Sequence, residues 1–166
     1  MTVKILGHPV HQQLIVFPVG LLATGFLFDA IDLLGGSAIF GVVGFYNIAA
    51  GLISVVIAAA FGLLDWSTIP SGTRAKKLGM FHAITNTIVA VLFLISLLAR
   101  IGGEDRQPTW GLFLLELVGA VLLGASGWMG GELVDRHGVG VHPGANVDAP
   151  SSLSGRPASE GSGSRT

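Results

Sequence analysis

The feature that most constrains this chain is a set of four long apolar stretches, each with room for a membrane span. A helix needs about 20 predominantly apolar residues to cross the hydrocarbon core of a bilayer. The stretch from about Gln13 to Leu34 meets that requirement, with Asp29 and Asp32 near its far end. So do the interval between Asp32 and Asp65, centred near Ser54, and the interval between Lys77 and Arg100. The run from Trp110 to about Leu133 is the fourth and holds one acid, Glu116. Lipid offers no partner to a bare backbone, so such stretches satisfy their own N–H and C=O groups by becoming helices. Of 166 residues, 51% are hydrophobic and 11% charged, against about a quarter charged in an ordinary soluble domain. Mean hydropathy is +0.72. The first stretch is too long for a secretory signal, holds two acids and lacks a small-residue cleavage site. The expected class is an all-α integral membrane protein of four spans.

The connections "LGGSA", "STIPSGTRAKK" and "GGEDRQPT" are short and rich in turn formers. Short loops make sequential helices antiparallel neighbours, so residues 1–143 are expected to form an up-down-up-down four-helix bundle. From Gly144 onward the chain is rich in Gly, Ser and Pro, and residues 144–166 are expected to be a disordered tail. Small residues let helices approach closely in lipid. Gly41, Gly44, Gly51, Ala58 and Gly62 in the second span, and Gly119, Gly124 and Gly127 in the fourth, are therefore expected at helix contacts. Pro18 removes the donor that the Leu14 carbonyl would use and predicts a kink. The four spans show no evident internal repeat, which disfavours a transporter. With four spans, both termini and the second loop share one side. That side carries Lys4, Arg74, Lys76, Lys77 and Arg136, the other Arg100 and Arg106. Excess Lys and Arg marks the cytoplasm, so both termini are expected there. A net charge of −1 gives no reason to expect nucleic acid as a partner. The absence of cysteine excludes disulfides, cysteine-ligated iron–sulfur clusters and c-type haem attachment within this chain.

The histidines fall together once the spans are drawn. His8 and His11 precede the first span, His82 opens the third, and His137 and His142 follow the fourth. Asp65 and Trp66 close the second at the same side. His82 and Asn86, four residues apart, share one side of their helix. Pro9 suits the first helical position, with His8 near the N-cap. Three readings of this layer stand side by side. The histidines can be interfacial and structural. They can be ligands, since imidazole binds metals and two facing histidines hold haem iron. They can also handle protons. As ligands, His11, His82 and His137 are the candidates for a cofactor such as haem b, and His8, His11, Asp65 and His82 for a divalent metal. Near the opposite side Asp29 and Glu116 lie at similar depth; pairing with Arg100 or Arg106, or simple protonation, is the simplest account of both, and a proton or cation path from them to the histidine layer is the functional alternative.

The motifs "HPVHQQLIVFPVGLL", "GLLDW", "GMFHAITN" and "GWMGGELVDRHGVGV" together resemble a family of predicted bacterial membrane proteins, domain of unknown function 2231. The resemblance spans about residues 7 to 142. It implies a four-helix protein of the bacterial plasma membrane and no established activity. Some relatives carry Rieske-type iron–sulfur domains, which implies electron transfer in their company, and His8, His11, Asp65, His82 and His137 match polar positions of the family. The expected function is a small redox or haem- or metal-binding subunit, whose partners are the bilayer and either a redox protein or a second copy of the chain. A non-catalytic scaffold with structural histidines is the alternative, and a proton-coupled transporter the third reading.

Overall fold

A computed structural model describes residues 3–103 and 105–161. A two-residue strand β1 (Lys4–Ile5) turns through Leu6 and Gly7, both at positive φ, into β2 (His8–Pro9). Five helices follow: α1 (Val10–Leu14), α2 (Val16–Leu33), α3 (Ile39–Thr68), α4 (Arg74–Ile101) and α5 (Trp110–Asp135). With α1 and α2 taken as one span, all four are long and apolar enough to cross a membrane. Thr73 and Thr109 cap α4 and α5, each hydroxyl accepting from a backbone N–H of the first turn. Two local expectations change. Pro9 is the extended residue before the helix and His8 lies in β2. The interruption between α1 and α2 falls at Ile15, next to the Leu14 carbonyl that Pro18 leaves without a donor.

The helices pack most extensively as two hairpins, α2 on α3 and α4 on α5, with lesser contacts of α3 with α4 and of α2 with α5. Glycines set the approach within each hairpin. Gly25 faces Ile48, Gly51 faces Leu22, and Gly119 faces Phe93. Gly124 and Gly127, expected at contacts, border open space, because they lie off the stripe that α5 buries.

These contacts expose a repeat that the sequence reading missed. Shifting α2 by 71 positions carries Pro18, Leu22, Gly25 and Asp29 onto Val89, Phe93, Ser96 and Arg100, and all eight are buried. Shifting α3 by 68 carries Ile48, Gly51, Ala58 and Asp65 onto Glu116, Gly119, Ser126 and Leu133, again all buried. The contacts move with the residues. Leu22 on Gly51 becomes Phe93 on Gly119, and Gly25 against Ile48 becomes Ser96 against Glu116. The core cluster of Leu22, Ile48, Val89 and Phe93 is drawn from both hairpins. Outward-facing residues such as Ile53, Val56, Phe81 and Val121 are apolar and well exposed, as a lipid-facing surface requires.

Within the region expected to be a tail, residues 144–161 form turns and one 3-10 turn, Ser152–Ser154. Ser152 donates to the Leu6 carbonyl at 3.1 Å and Asn146 to that of Ala158 at 2.7 Å. Residues 162–166 of that region lie outside the described residues.

Packing at the glycines gives a first prediction. A methyl group at Gly44 would sit 2.9 Å from the Asp29 carboxyl carbon and 3.0 Å from the Gly25 carbonyl oxygen. Gly44→Ala should therefore cost about 1–3 kcal/mol by overpacking, whereas Gly124→Ala, with nothing nearby, should leave stability unchanged or slightly raised. Unfolding midpoints in mixed micelles check the pair, and equal effects would contradict this packing.

Candidate functional site

Two polar centres interrupt the apolar interior, one toward each end of the hairpins. The first is built by the ends of α2 and α4 and the beginnings of α3 and α5. Arg100 reaches across to Asp29, with Nη1 at 2.6 Å from Oδ2 and Nη2 at 3.1 Å from Oδ1. This two-pronged geometry is the strong form of guanidinium–carboxylate pairing. Nη2 also donates to the Gly41 carbonyl at 2.7 Å, and Nε to that of Arg106 at 3.0 Å. Gly41 and Gly44 on α3 lack the side chains that would fill this space. Arg106 holds a left-handed backbone (φ 51°), while its guanidinium lies over the Phe45 and Tyr46 rings and donates to the Tyr46 hydroxyl. Glu116 completes the centre. Its Oε1 accepts from the Ser96 hydroxyl and lies 3.6 Å from Arg100 Nη1. Asp29 and Glu116 are fully buried and Arg100 is 2% exposed. The expected pairing of both acids with arginine is thus met by Arg100.

The second centre holds two of the histidines. His11 Nδ1 donates to the Ala58 carbonyl at 2.8 Å, and the ring lies against Gly62. His82 Nδ1 donates to the Ser126 carbonyl at 3.0 Å, the ring lies near Gly130, and Asn86 Nδ2 donates to Nε2 at 3.0 Å. The Asn86 contact places the acceptor lone pair of His82 on Nε2 and the proton on Nδ1. Both histidines obey the repeat. Shifts of 71 and 68 carry His11, Ala58 and Gly62 onto His82, Ser126 and Gly130.

The other residues singled out in the sequence go elsewhere. His8 is exposed, with Nε2 3.4 Å from the Ser152 hydroxyl. His137 is exposed on a cleft shared with Thr68, Pro70 and Val139. His142 donates to the Gly7 carbonyl at 2.8 Å. Asp65 is buried and accepts the Val3 backbone N–H at 3.2 Å, which pins the N-terminal segment to the end of α3. Among the described residues no group of three or more histidines and acids is placed to hold a metal ion. Sequence reasoning missed Ser96 and Ser126, whose only signal is the repeat. It also missed Lys76, which donates to the Trp66 carbonyl at 2.7 Å and lies over its ring, while the indole N–H donates to the Lys76 carbonyl.

A family model described as Predicted membrane protein (DUF2231) matches residues 7–143. Neither a comparison with curated proteins nor one with solved structures finds a match. The chain belongs to this predicted membrane protein family.

The two centres differ in what their removal should cost. Arg100→Met leaves the buried Asp29–Glu116 pair without its counter-charge and should destabilise by about 3–5 kcal/mol. Lys76→Met loses a partly exposed cation–π contact and should cost less than about 1 kcal/mol. Equilibrium unfolding in micelles measures both, and a mild Arg100→Met would show that the buried charges are not held as described.

Proposed function

We propose that this member of the predicted membrane protein family is a small haem-binding redox subunit, with His11 and His82 as the ligand pair. The observation that carries the reading is their equivalence. Each ring sits at the matching position of its hairpin, with Nδ1 tied to a backbone carbonyl and a glycine beside it. A backbone carbonyl on one ring nitrogen is the usual outer partner of a ligating histidine, and it leaves Nε2 as the donor atom. Packing is less extensive between the hairpins than within them, so a flat group would enter at the seam between them. Two axial histidines suffice for haem, so this reading does not need the larger ligand set that zinc would want.

In this reading the four helices run up-down-up-down through a bacterial plasma membrane with both termini in the cytoplasm. The excess of lysine and arginine beside the histidine end supports that orientation. The bilayer is the constant partner, and an electron-transfer protein docks at the cytoplasmic face. One observation favours a structural role for His82 instead: with Ser126 on one nitrogen and Asn86 on the other, its hydrogen bonding is complete without a ligand.

The visible absorption spectrum of the purified protein separates the two. The ligand reading predicts a Soret band that disappears in His82→Ala and in His11→Ala while both variants still insert. A wild type without a Soret band, expressed with ample haem, together with a silent His82→Gln, would leave the structural reading in its place.

A further inference from the structure

The Arg100 centre carries more charge than its structural task requires. Asp29 and Arg100 neutralise each other through two hydrogen bonds. Glu116 is a third ionisable group in the same buried space, and its Oε2 is buried without a hydrogen-bond partner. The repeat supplies an internal control for what packing alone needs there. At the matching position of the first hairpin stands Ile48, fully buried against Gly25, just as Glu116 is fully buried against Ser96. An apolar residue therefore fills this place in an otherwise equivalent hairpin. A carboxyl group in hydrocarbon, where burial of an uncompensated charge is costly, needs another reason.

We propose that Glu116 is a proton-binding site, with one exchangeable proton held on the Asp29–Glu116 pair and Arg100 as its fixed counter-charge. The arithmetic is simple: one guanidinium and two carboxylates are neutral with one proton bound and carry one negative charge without it. The groups around Glu116 are few. From α2 come Asp29 and, further out beside Gly41, Asp32; from α4 come Arg100 and the Ser96 hydroxyl; α3 contributes the Gly41 carbonyl and the outward-facing Tyr46, whose hydroxyl accepts from Arg106 of the loop before α5. Ser96 donates to Oε1, which leaves Oε2 as the oxygen that carries the proton.

Open space comes near the site at its own end of the molecule. An open cleft of about 600 Å³ is lined by Tyr46, Asp105, Arg106 and Gln107 among others. Two of its residues touch the centre. The Arg106 carbonyl accepts from Arg100, and Gln107 lies over Gly41 with its own Oε1 buried and unpartnered. Proton exchange at this end is independent of any ligand held by His11 and His82.

Infrared spectroscopy of the full chain in an ester-free detergent tests the proposal. At neutral pH the wild type should show the carbonyl stretch of a protonated carboxylic acid, shifted after exchange into D₂O. Glu116→Gln should lack the band, and Glu116→Ile, patterned on Ile48, should fold and lack it too. Asp29→Asn should also lose it, because Glu116 then becomes the sole carboxylate partner of Arg100 and releases its proton. A wild type without the band, a band that does not respond to D₂O, or one that survives both Glu116→Gln and Asp29→Asn would overturn the proposal.

Discussion

A guanidinium held by a carboxylate inside hydrocarbon is the interaction on which the rest of this structure depends. Arg100 lies on α4 and Asp29 on α2, two helices without extensive backbone contact. Neither charge can be left alone, because removing one partner of a buried pair strands the other. The pair therefore fixes how the two hairpins sit against each other at that end. It also explains nearby features that are otherwise odd. Gly41 and Gly44 are open where side chains would collide with the acids and Gln107. Arg106 bends into a left-handed conformation at the residue whose carbonyl meets Arg100 Nε. Strain of that kind is kept where the surroundings impose it.

The second organising fact is that the two hairpins share one packing plan and differ in chemistry. Leucine on glycine in one becomes phenylalanine on glycine in the other, and both histidines bond to a carbonyl one turn before a glycine. At the far end the plan is broken three times: aspartate answers arginine, glycine answers serine, and isoleucine answers glutamate. The shared positions describe what the fold needs. Three of the broken positions gather at the Arg100 centre, and a fourth, Asp65 answered by Leu133, lies at the histidine end.

Much of this was legible in the sequence. The spans follow from the need to satisfy every backbone group in lipid, and the four helices fall where the apolar stretches do. The pairing of Asp29 and Glu116 with an arginine follows from the cost of leaving an acid alone in a membrane. The meeting of His82 with Asn86 follows from helical spacing. The repeat was not legible, because packing in lipid asks only for matching size along a buried stripe. Leu22 and Phe93, or Ala58 and Ser126, satisfy that demand without being identical. For the same reason Gly124 and Gly127 looked like contact residues; glycine content alone does not say which side of a helix is buried. The convergence of His11 with Ala58, rather than with His8 or Asp65, depends on the tilt and register of whole helices, which no local pattern encodes.

Direct coupling between Asp29 and Arg100 across the two hairpins is measured by a double-mutant cycle. Asp29→Asn, Arg100→Met and the double variant would be unfolded reversibly in mixed micelles beside the wild type. Coupled buried partners show interaction energies of about 0.5–3 kcal/mol, and a two-pronged pair in this setting belongs in the upper part of that range. The double variant should then be far less destabilised than the two single changes added together. Additive effects, with no coupling beyond error, would contradict the account at its centre.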